Sequence, residues 1–148
     1  MKSSQALCVE SLALLIVITG CGGGYSQSDL NKVSVTVSPA AVTIPPGGEV
    51  TLHATVTGSP GAPFALWSIA ELQTNGASGA QCNWLDTTPP AGPCPDGTIQ
   101  GEDTPPLSVT VTYHAPSTSG TFHVIAEWST AFTPAVIRDG TSVITVSP

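Results

Sequence analysis

Apolar and polar residues alternate with a period of two along most of the chain after residue 32. The segment 50–57 is the clearest case, because every second residue is apolar and the residues between are threonines and one histidine. This alternation is typical of a β-strand with one buried and one solvated face. Similar patterns occur at 33–37, 42–44, 64–69, 107–113, 122–128 and 142–147. About seven short strands are therefore predicted.

Turn-forming residues separate these segments, most clearly at 45–48 (Pro-Pro-Gly-Gly) and 58–61 (Gly-Ser-Pro-Gly). Proline fixes φ and glycine permits positive φ, so both stretches favour a reversal of the chain. Short strands, turns at regular spacing and no helical period indicate an all-β sandwich. Within it, Trp67 is predicted to be the bulky residue at the centre of the core.

Composition and charge exclude several classes of protein. Among 148 residues, Lys and Arg number 3 against 10 Asp and Glu, giving a net charge of −7. A basic surface for nucleic acid or anionic lipid is therefore missing. Charged residues make up only 9% of the chain, which also argues against amphipathic helices with a charged face.

The N-terminus predicts export. Lys2 precedes an apolar run at 12–18, which is too short to span a bilayer and has the length of a signal-peptide core. The residues that follow, Ile18-Thr19-Gly20-Cys21, resemble the signal of bacterial lipoproteins. That resemblance implies a signal peptide at 1–20 and a diacylglycerol on Cys21, whose acyl chains would anchor the protein in a membrane. The alternative is ordinary secretion, with Cys21 as a disulfide partner.

Residues 21–32 are predicted to form the lipidated cysteine and a flexible linker, since their glycines and serines cannot bury much apolar surface. Gly22 stands where an Asp would retain an enteric lipoprotein in the inner membrane. By the same resemblance, a Gram-negative host would place the protein in the outer membrane. The domain itself is predicted to span 33–148.

A second resemblance concerns the domain. The ordered pieces Val35-Thr36-Val37-Ser38-Pro39, Pro46-Gly47-Gly48, Trp67-Ser68 and Tyr113-His114-Ala115-Pro116, followed by 122–126, resemble bacterial immunoglobulin-like domains of the group 2 type. The resemblance implies an immunoglobulin-like sandwich that serves as an adhesive, interaction or spacer module without catalysis. The chain departs from the family pattern in a long insertion after Trp67 and in the segment 132–140.

The insertion, predicted to be irregular over 70–106, contains Cys82 and Cys94. In an exported protein such a pair predicts a disulfide that closes the loop. The bond would add about 3 kcal/mol to stability by restraining the unfolded chain. Zinc ligation is the rival, but two thiols without nearby histidines make a poor site, and no metal or other cofactor is predicted.

The same insertion is acidic and carries Glu71, Asp86, Asp96, Glu102 and Asp103 without any Lys or Arg. A calcium site is conceivable, although the spacing matches no calcium loop. Solvated acids that keep the loop soluble are the simpler interpretation.

Trp84 lies inside the disulfide loop and is the one candidate ligand-binding residue. An exposed indole can stack on a sugar or anchor a protein partner, whereas a buried one would pack against the disulfide. Trp84 therefore supports an alternative function, a carbohydrate-binding module, with or without calcium, that uses the Cys82–Cys94 loop.

The three histidines do not predict a metal site. His53, His114 and His123 fall on the polar faces of their strands, and in an immunoglobulin-like sandwich the first two belong to one sheet and the third to the other. No catalytic residues are identified either, because nothing combines a nucleophile, a base and an orienting group. The sequence thus predicts a non-catalytic, lipid-anchored protein of the bacterial envelope, with a membrane and an envelope protein or glycan as partners and no nucleic acid.

Overall fold

The structure is a computed structural model of the chain. It describes residues 26–61, 63–71, 82–84, 93–101, 109–130 and 136–148, with residues 83 and 84 described by their backbone alone.

One short helix and nine strands lie within these residues. The helix, α1, spans Gln27–Leu30. The strands are β1 (Ser34–Ser38), β2 (Ala41–Ile44), β3 (Glu49–Thr57), β4 (Leu66–Ile69), β5 (Asn83–Trp84), β6 (Thr98–Gly101), β7 (Thr110–His114), β8 (Gly120–Ser129) and β9 (Ile137–Val146).

The strands form two sheets, which confirms the predicted all-β sandwich. One sheet has five strands in the order β1-β3-β7-β6-β5, and the other has four in the order β2-β9-β8-β4. Neighbouring strands are antiparallel except for β2 with β9 and β5 with β6.

The first extended segment of the domain contributes to both sheets. β1 pairs with β3, and after Pro39 the chain crosses over so that β2 pairs with β9. The Ser142 hydroxyl donates a hydrogen bond of 2.7 Å to the Pro39 carbonyl, and the Val143 amide donates one of 2.9 Å to the Ala40 carbonyl. The crossover is therefore tied to β9 by both side chain and backbone.

The core lies between the inner faces of the two sheets. Its largest fully buried side chains are Tyr113, Leu52, Ile69 and Ile144. Trp67, predicted to lie at the centre of the core, is only half-buried and packs against the rim of the core. β4 is the edge strand of its sheet, yet Ala65 and Ile69 on the same face as Trp67 are fully buried. The largest fully buried side chain is Tyr113, on the central strand β7 of the other sheet.

The insertion after Trp67 is more regular than predicted. It supplies β5 and β6, which extend the five-stranded sheet beyond β7. β6 is antiparallel to β7, with Ile99 opposite Tyr113 and Gln100 opposite Thr112. The short length of both strands hid their alternation, and nine strands replace the seven expected.

The boundary between linker and domain also differs from the prediction. Residues 27–30 form α1 and not a flexible tether, and Leu30 is buried in the core with Val33. The Ser26 hydroxyl caps the helix by accepting a hydrogen bond from the Asp29 amide at 3.3 Å. Gly58 has a φ of 71°, and a Cβ there would lie 2.5 Å from the Lys32 carbonyl oxygen. Residues 26–32 are therefore part of the folded domain.

The two outer faces of the sandwich differ in composition. The outer face of the five-stranded sheet, here the threonine face, is polar in β1, β3, β6 and β7: it comprises Ser34, Thr36, Ser38, Glu49, Thr51, His53, Thr55, Thr57, Thr98, Gln100, Thr110, Thr112 and His114. The outer face of the four-stranded sheet, here the mixed face, combines polar with apolar residues: Ala41, Thr43, Leu66, Ser68, Thr121, His123, Ile125, Glu127, Ser129, Ile137, Asp139, Thr141, Val143 and Thr145.

Candidate functional site

The strand registers place the chain segments at two opposite ends of the sandwich. One end of the sandwich, here the tether end, carries α1, the end of β3, the start of β4 and the end of β8. At this end Leu66 pairs with Glu127, and Arg138 of β9 contacts Asn31 directly after α1. The opposite end of the sandwich, here the far end, carries the end of β4, the start of β6 and the end of β7. At this end Ile69 pairs with Val124, and Thr98 pairs with His114. The segment that precedes β6, with its disulfide, therefore lies at the far end.

The predicted disulfide between Cys82 and Cys94 is confirmed. The two Cα atoms are 5.7 Å apart, and the bond closes a segment of sequence separation 12. Cys82 is fully buried in the core, and the Cys94 carbonyl accepts a hydrogen bond of 3.1 Å from the Gly97 amide. The bond thus ties the start of β5 to the turn that leads into β6.

Tyr113 fastens that turn to the core. Its hydroxyl donates a buried hydrogen bond of 2.8 Å to the Asp96 carbonyl. A Cβ at Gly97, whose φ is 89°, would lie 2.5 Å from the His114 carbonyl oxygen and 2.7 Å from the Tyr113 hydroxyl. Only glycine fits where the turn lies so close to β7.

The phenol of Tyr113 is held in its protonated form. Burial raises the pKa of this phenol well above its ordinary value, and the carboxylates of Glu71 and Asp96 raise it further. The hydroxyl therefore acts as a permanent hydrogen-bond donor and not as an acid or nucleophile. The sequence marked Tyr113 only as part of the Tyr-His-Ala-Pro motif and did not reveal this contact.

Trp84 is placed by its backbone at the edge of the five-stranded sheet. It belongs to β5, which runs parallel to β6 and brings Trp84 opposite Gln100. The residue follows the disulfide-bonded Cys82 by two positions, so the bond and the strand pairing both position its backbone.

Glu71, at the end of β4, is bound to β8 and is not part of a solvated acidic loop. Its carboxylate accepts a 3.0 Å hydrogen bond from the His123 amide, and its other oxygen lies 2.6 Å from His123 Nδ1. Burial raises the pKa of Glu71, but the hydrogen bonds from His123 outweigh burial and leave this pKa below its ordinary value. The carboxylate thus continues the β4–β8 pairing beyond the last residue of β4.

The histidines lie where the sequence predicted. His53 and His114 belong to the threonine face of the five-stranded sheet, and His123 belongs to the mixed face of the other sheet. His53 Nδ1 lies 2.9 Å from the Thr110 hydroxyl, and His114 Nδ1 lies 3.0 Å from Glu49 Oε1. Among the described residues, no three His, Cys, Asp or Glu side chains come together as metal ligands do.

Several predicted residues lie outside the described residues, namely Cys21, Asp86, Glu102 and Asp103. Of the acidic insertion, Glu71 and Asp96 are described, and they have separate surroundings: Glu71 contacts His123, and Asp96 is buried beside Tyr113. Within the part of the chain that the structure describes, no helix is long and apolar enough to cross a membrane.

No protein-family model and no curated protein matches the chain. Among solved structures it is similar to a nucleoside hydrolase-related hypothetical protein from Saccharophagus degradans that is associated with carbohydrate metabolism, with 15% identity and a TM-score of 0.48. The match covers 78% of this chain but only 25% of that one. A chain from a structure on T cell specificity and activation by the bacterial superantigen toxic shock syndrome toxin-1 matches with 13% identity and a TM-score of 0.42, covering 78% of this chain and 99% of that one. Likenesses this distant carry no argument about function.

Proposed function

We propose that the protein is a non-catalytic, lipid-anchored module of the bacterial cell envelope, with an immunoglobulin-like domain of the group 2 type that serves as an interaction, adhesion or spacer unit. Cys21 is the lipid attachment point, and in a Gram-negative host the protein resides in the outer membrane. The lipoprotein-like residues 18–21 and the ordered motifs between 35 and 126 support this proposal.

The proposal rests on one observation: α1 and the disulfide-closed segment lie at opposite ends of the domain. The chain enters the domain at the tether end, through Ser26 and α1, whereas the disulfide-closed segment lies at the far end. β8 has ten residues, and at 3.4 Å per residue it separates the two ends by about 30 Å. An anchor on Cys21 therefore holds the disulfide segment away from the membrane, as a spacer or adhesive unit requires.

Lipidation is tested by expressing the full chain with its own leader in a Gram-negative host that is fed an alkyne-labelled fatty acid. The wild type should carry the label and sediment with membranes, and Cys21→Ala should lose both properties. Cys8→Ala is the matched control, because Cys8 precedes the apolar run and should leave with the signal peptide. A Cys21→Ala protein that still carries the label and sediments with membranes overturns the anchor. Hydrolysis of glycans or peptides by the purified protein would overturn the non-catalytic assignment.

A carbohydrate-binding module is the second candidate. The observation that favours it is the double anchoring of the backbone at Trp84, by the disulfide and by pairing with β6. A rigid backbone lowers the entropy lost when an indole stacks on a sugar.

Glycan binding by the wild type that is lost in Trp84→Ala and retained in Trp84→Phe would support this second function, provided the disulfide stays intact. Binding that persists in Trp84→Ala, or an absence of glycan binding in the wild type, would exclude it. The same measurements with and without calcium show whether the ion takes part.

A further inference from the structure

A small patch at the tether end of the mixed face combines exposed apolar residues with carboxylates. It consists of Leu66, Glu127, Asp139 and Ile137, here the carboxylate patch. Leu66 lies directly opposite Glu127, and Glu127 directly opposite Asp139. Leu66 and Ile137 are 37% and 52% exposed and are the exposed large hydrophobic residues of the described chain. These two residues thus flank one pair of acids.

The two carboxylates are an unfavourable pair within this chain. Residues directly opposite each other on antiparallel strands have Cβ atoms about 4.5–5.5 Å apart, and like charges in this position repel. A chain under no other constraint would place a neutral or basic residue opposite one of them. We therefore expect the pair to lower the stability of the isolated domain.

The chain has no cation that neutralises this pair within the described structure. It contains three basic residues, of which Lys2 lies outside the described residues. Lys32 pairs with Asp29 at 2.9 Å. The Arg138 guanidinium donates to the Ile137 carbonyl at 2.8 Å and to the Asn31 side chain at 3.4 Å. Since neither described Lys nor Arg contacts the acid pair, a complementary positive charge would come from another molecule.

We propose that the carboxylate patch docks a protein partner whose surface presents Lys or Arg between apolar side chains. The basic groups would lie against Glu127 and Asp139, and the apolar groups would cover Leu66 and Ile137. This proposal deepens the proposed interaction function by naming the surface used and the chemistry of the partner.

Charge also argues against other occupants. A second copy of this chain in a two-fold contact would bring two such acid pairs together, and an anionic lipid surface would be repelled as well. A free divalent cation would leave the apolar residues uncovered. The patch and α1 lie at the same end of the sandwich, because Arg138, which stands between Ile137 and Asp139 in β9, contacts Asn31 directly after the helix. For a protein anchored through Cys21, the partner is therefore engaged on the membrane side of the domain.

The test uses the full chain, produced with its own leader and purified in neutral detergent. The probe is a fluorescent peptide, Leu-Ser-Lys-Ser-Lys-Ser-Leu, which in an extended conformation presents two lysines between two leucines on one side. Binding is followed by fluorescence anisotropy, and the contact is mapped with a carbodiimide, which joins carboxylates to lysines at zero length. We expect crosslinks at Glu127 and Asp139, identified by mass spectrometry.

Variants separate the patch from general attraction to an acidic protein. Glu127→Gln and Asp139→Asn should each weaken binding by up to about fivefold, the upper range for an exposed ion pair, and added salt should remove the difference. Glu49→Gln, on the threonine face, is the matched control and should leave binding unchanged. A peptide with serines in place of the leucines should bind more weakly, as should the wild-type peptide to Leu66→Ser.

Crosslinks spread evenly over the acids of the chain, or equal weakening by Glu49→Gln and Glu127→Gln, would overturn the proposal. An absence of binding to the wild type would overturn it too. None of these results depends on lipidation, so failure of the carboxylate patch and failure of the Cys21 anchor are distinguished by separate measurements. If a variant does not fold, the crosslinking map of the wild type still decides.

Discussion

The threonine face and the mixed face cover the same core, but their polar groups differ in whether they have favourable partners on neighbouring strands. On the threonine face, neighbouring strands offer each other partners: the Ser34 and Thr57 hydroxyls lie 2.8 Å apart, and a ring nitrogen of His114 lies 3.3 Å from the Gln100 side-chain oxygen. Its one acid, Glu49, faces His114. On the mixed face, Glu127 stands opposite Asp139 and next to the exposed Leu66.

This difference indicates which of the two faces is stable without a partner molecule. Uncharged hydroxyls satisfy one another or water at little cost, so the threonine face needs no partner to be stable. Opposed carboxylates repel each other, and exposed apolar side chains gain free energy when they are covered, so the mixed face is the one that would gain from a partner. The three predictions that follow change one sheet at a time.

The largest effect is expected from the disulfide, which links the start of β5 to the turn before β6 in the five-stranded sheet. Replacing Cys82 and Cys94 together by alanine should lower the free energy of unfolding by about 3 kcal/mol, because the unfolded chain is no longer restrained. Chemical unfolding measures this loss. Hydrogen exchange should show that β6 amides lose protection while β8 amides retain most of theirs. Equal loss of protection in β6 and β8 would contradict a role confined to one sheet.

A smaller effect is expected from Glu71, which supports the four-stranded sheet through His123. The pKa of Glu71 is lower in the folded than in the unfolded chain. Its stabilisation is therefore fully present above the ordinary pKa of 4.5 and is lost as the pH falls through the lower folded value. At pH 7, Glu71→Gln should cost about 1–2 kcal/mol, as expected for a hydrogen-bonded charge.

Unfolding in urea at a series of pH values tests this prediction. The difference between wild type and Glu71→Gln should shrink as the solution is acidified below pH 4.5, because both side chains are then neutral. Glu49→Gln, on the other face and more exposed, is the control and should change little at any pH. A Glu71→Gln difference that stays constant with pH would show that the contact stabilises by shape and not by charge.

The smallest effect is expected from Glu127, and a matched change at Glu49 compares the two outer faces directly. Glu127→Gln removes the repulsion with Asp139 and should raise the free energy of unfolding by roughly 0.2–1 kcal/mol, decreasing with salt. Glu49→Gln should have no effect or a slightly destabilising one, since Glu49 faces a histidine and not an acid. Thermal unfolding at low and high salt compares the two variants. Destabilisation by Glu127→Gln would mean that the carboxylate pair is favourable within the isolated domain.

Most of the long strands could be predicted because their signal is local. In β3 and β8, buried and exposed residues alternate as the sequence does, since each strand has one face on the core. The disulfide was predictable from the number of cysteines once the N-terminus had led us to expect export. β5 and β6 were missed because strands of two and four residues are too short to show a period. Trp67 was assigned to the centre of the core because of its size, but it is half-buried, whereas the smaller Ile69 on the same strand is fully buried.

The candidate sites were less predictable than the fold. Glu71 was one of five acids in an insertion, and nothing in its sequence context indicates that it reaches across to His123. Glu127 and Asp139 are separated by eleven residues, and they become neighbours only through the register of β8 with β9. Pairing between strands is decided by the packing of the whole sandwich.

The amino-acid sequence by itself determined the all-β class, most strand positions, the disulfide and the expectation of export, because alternation, turn residues and cysteine number act over short stretches of chain. The tertiary structure alone decided which end of the domain carries the disulfide, that the Tyr113 hydroxyl binds the turn before β6, and that two acids oppose each other beside Leu66. Those features depend on strand order and register, which arise from contacts between residues far apart in the chain.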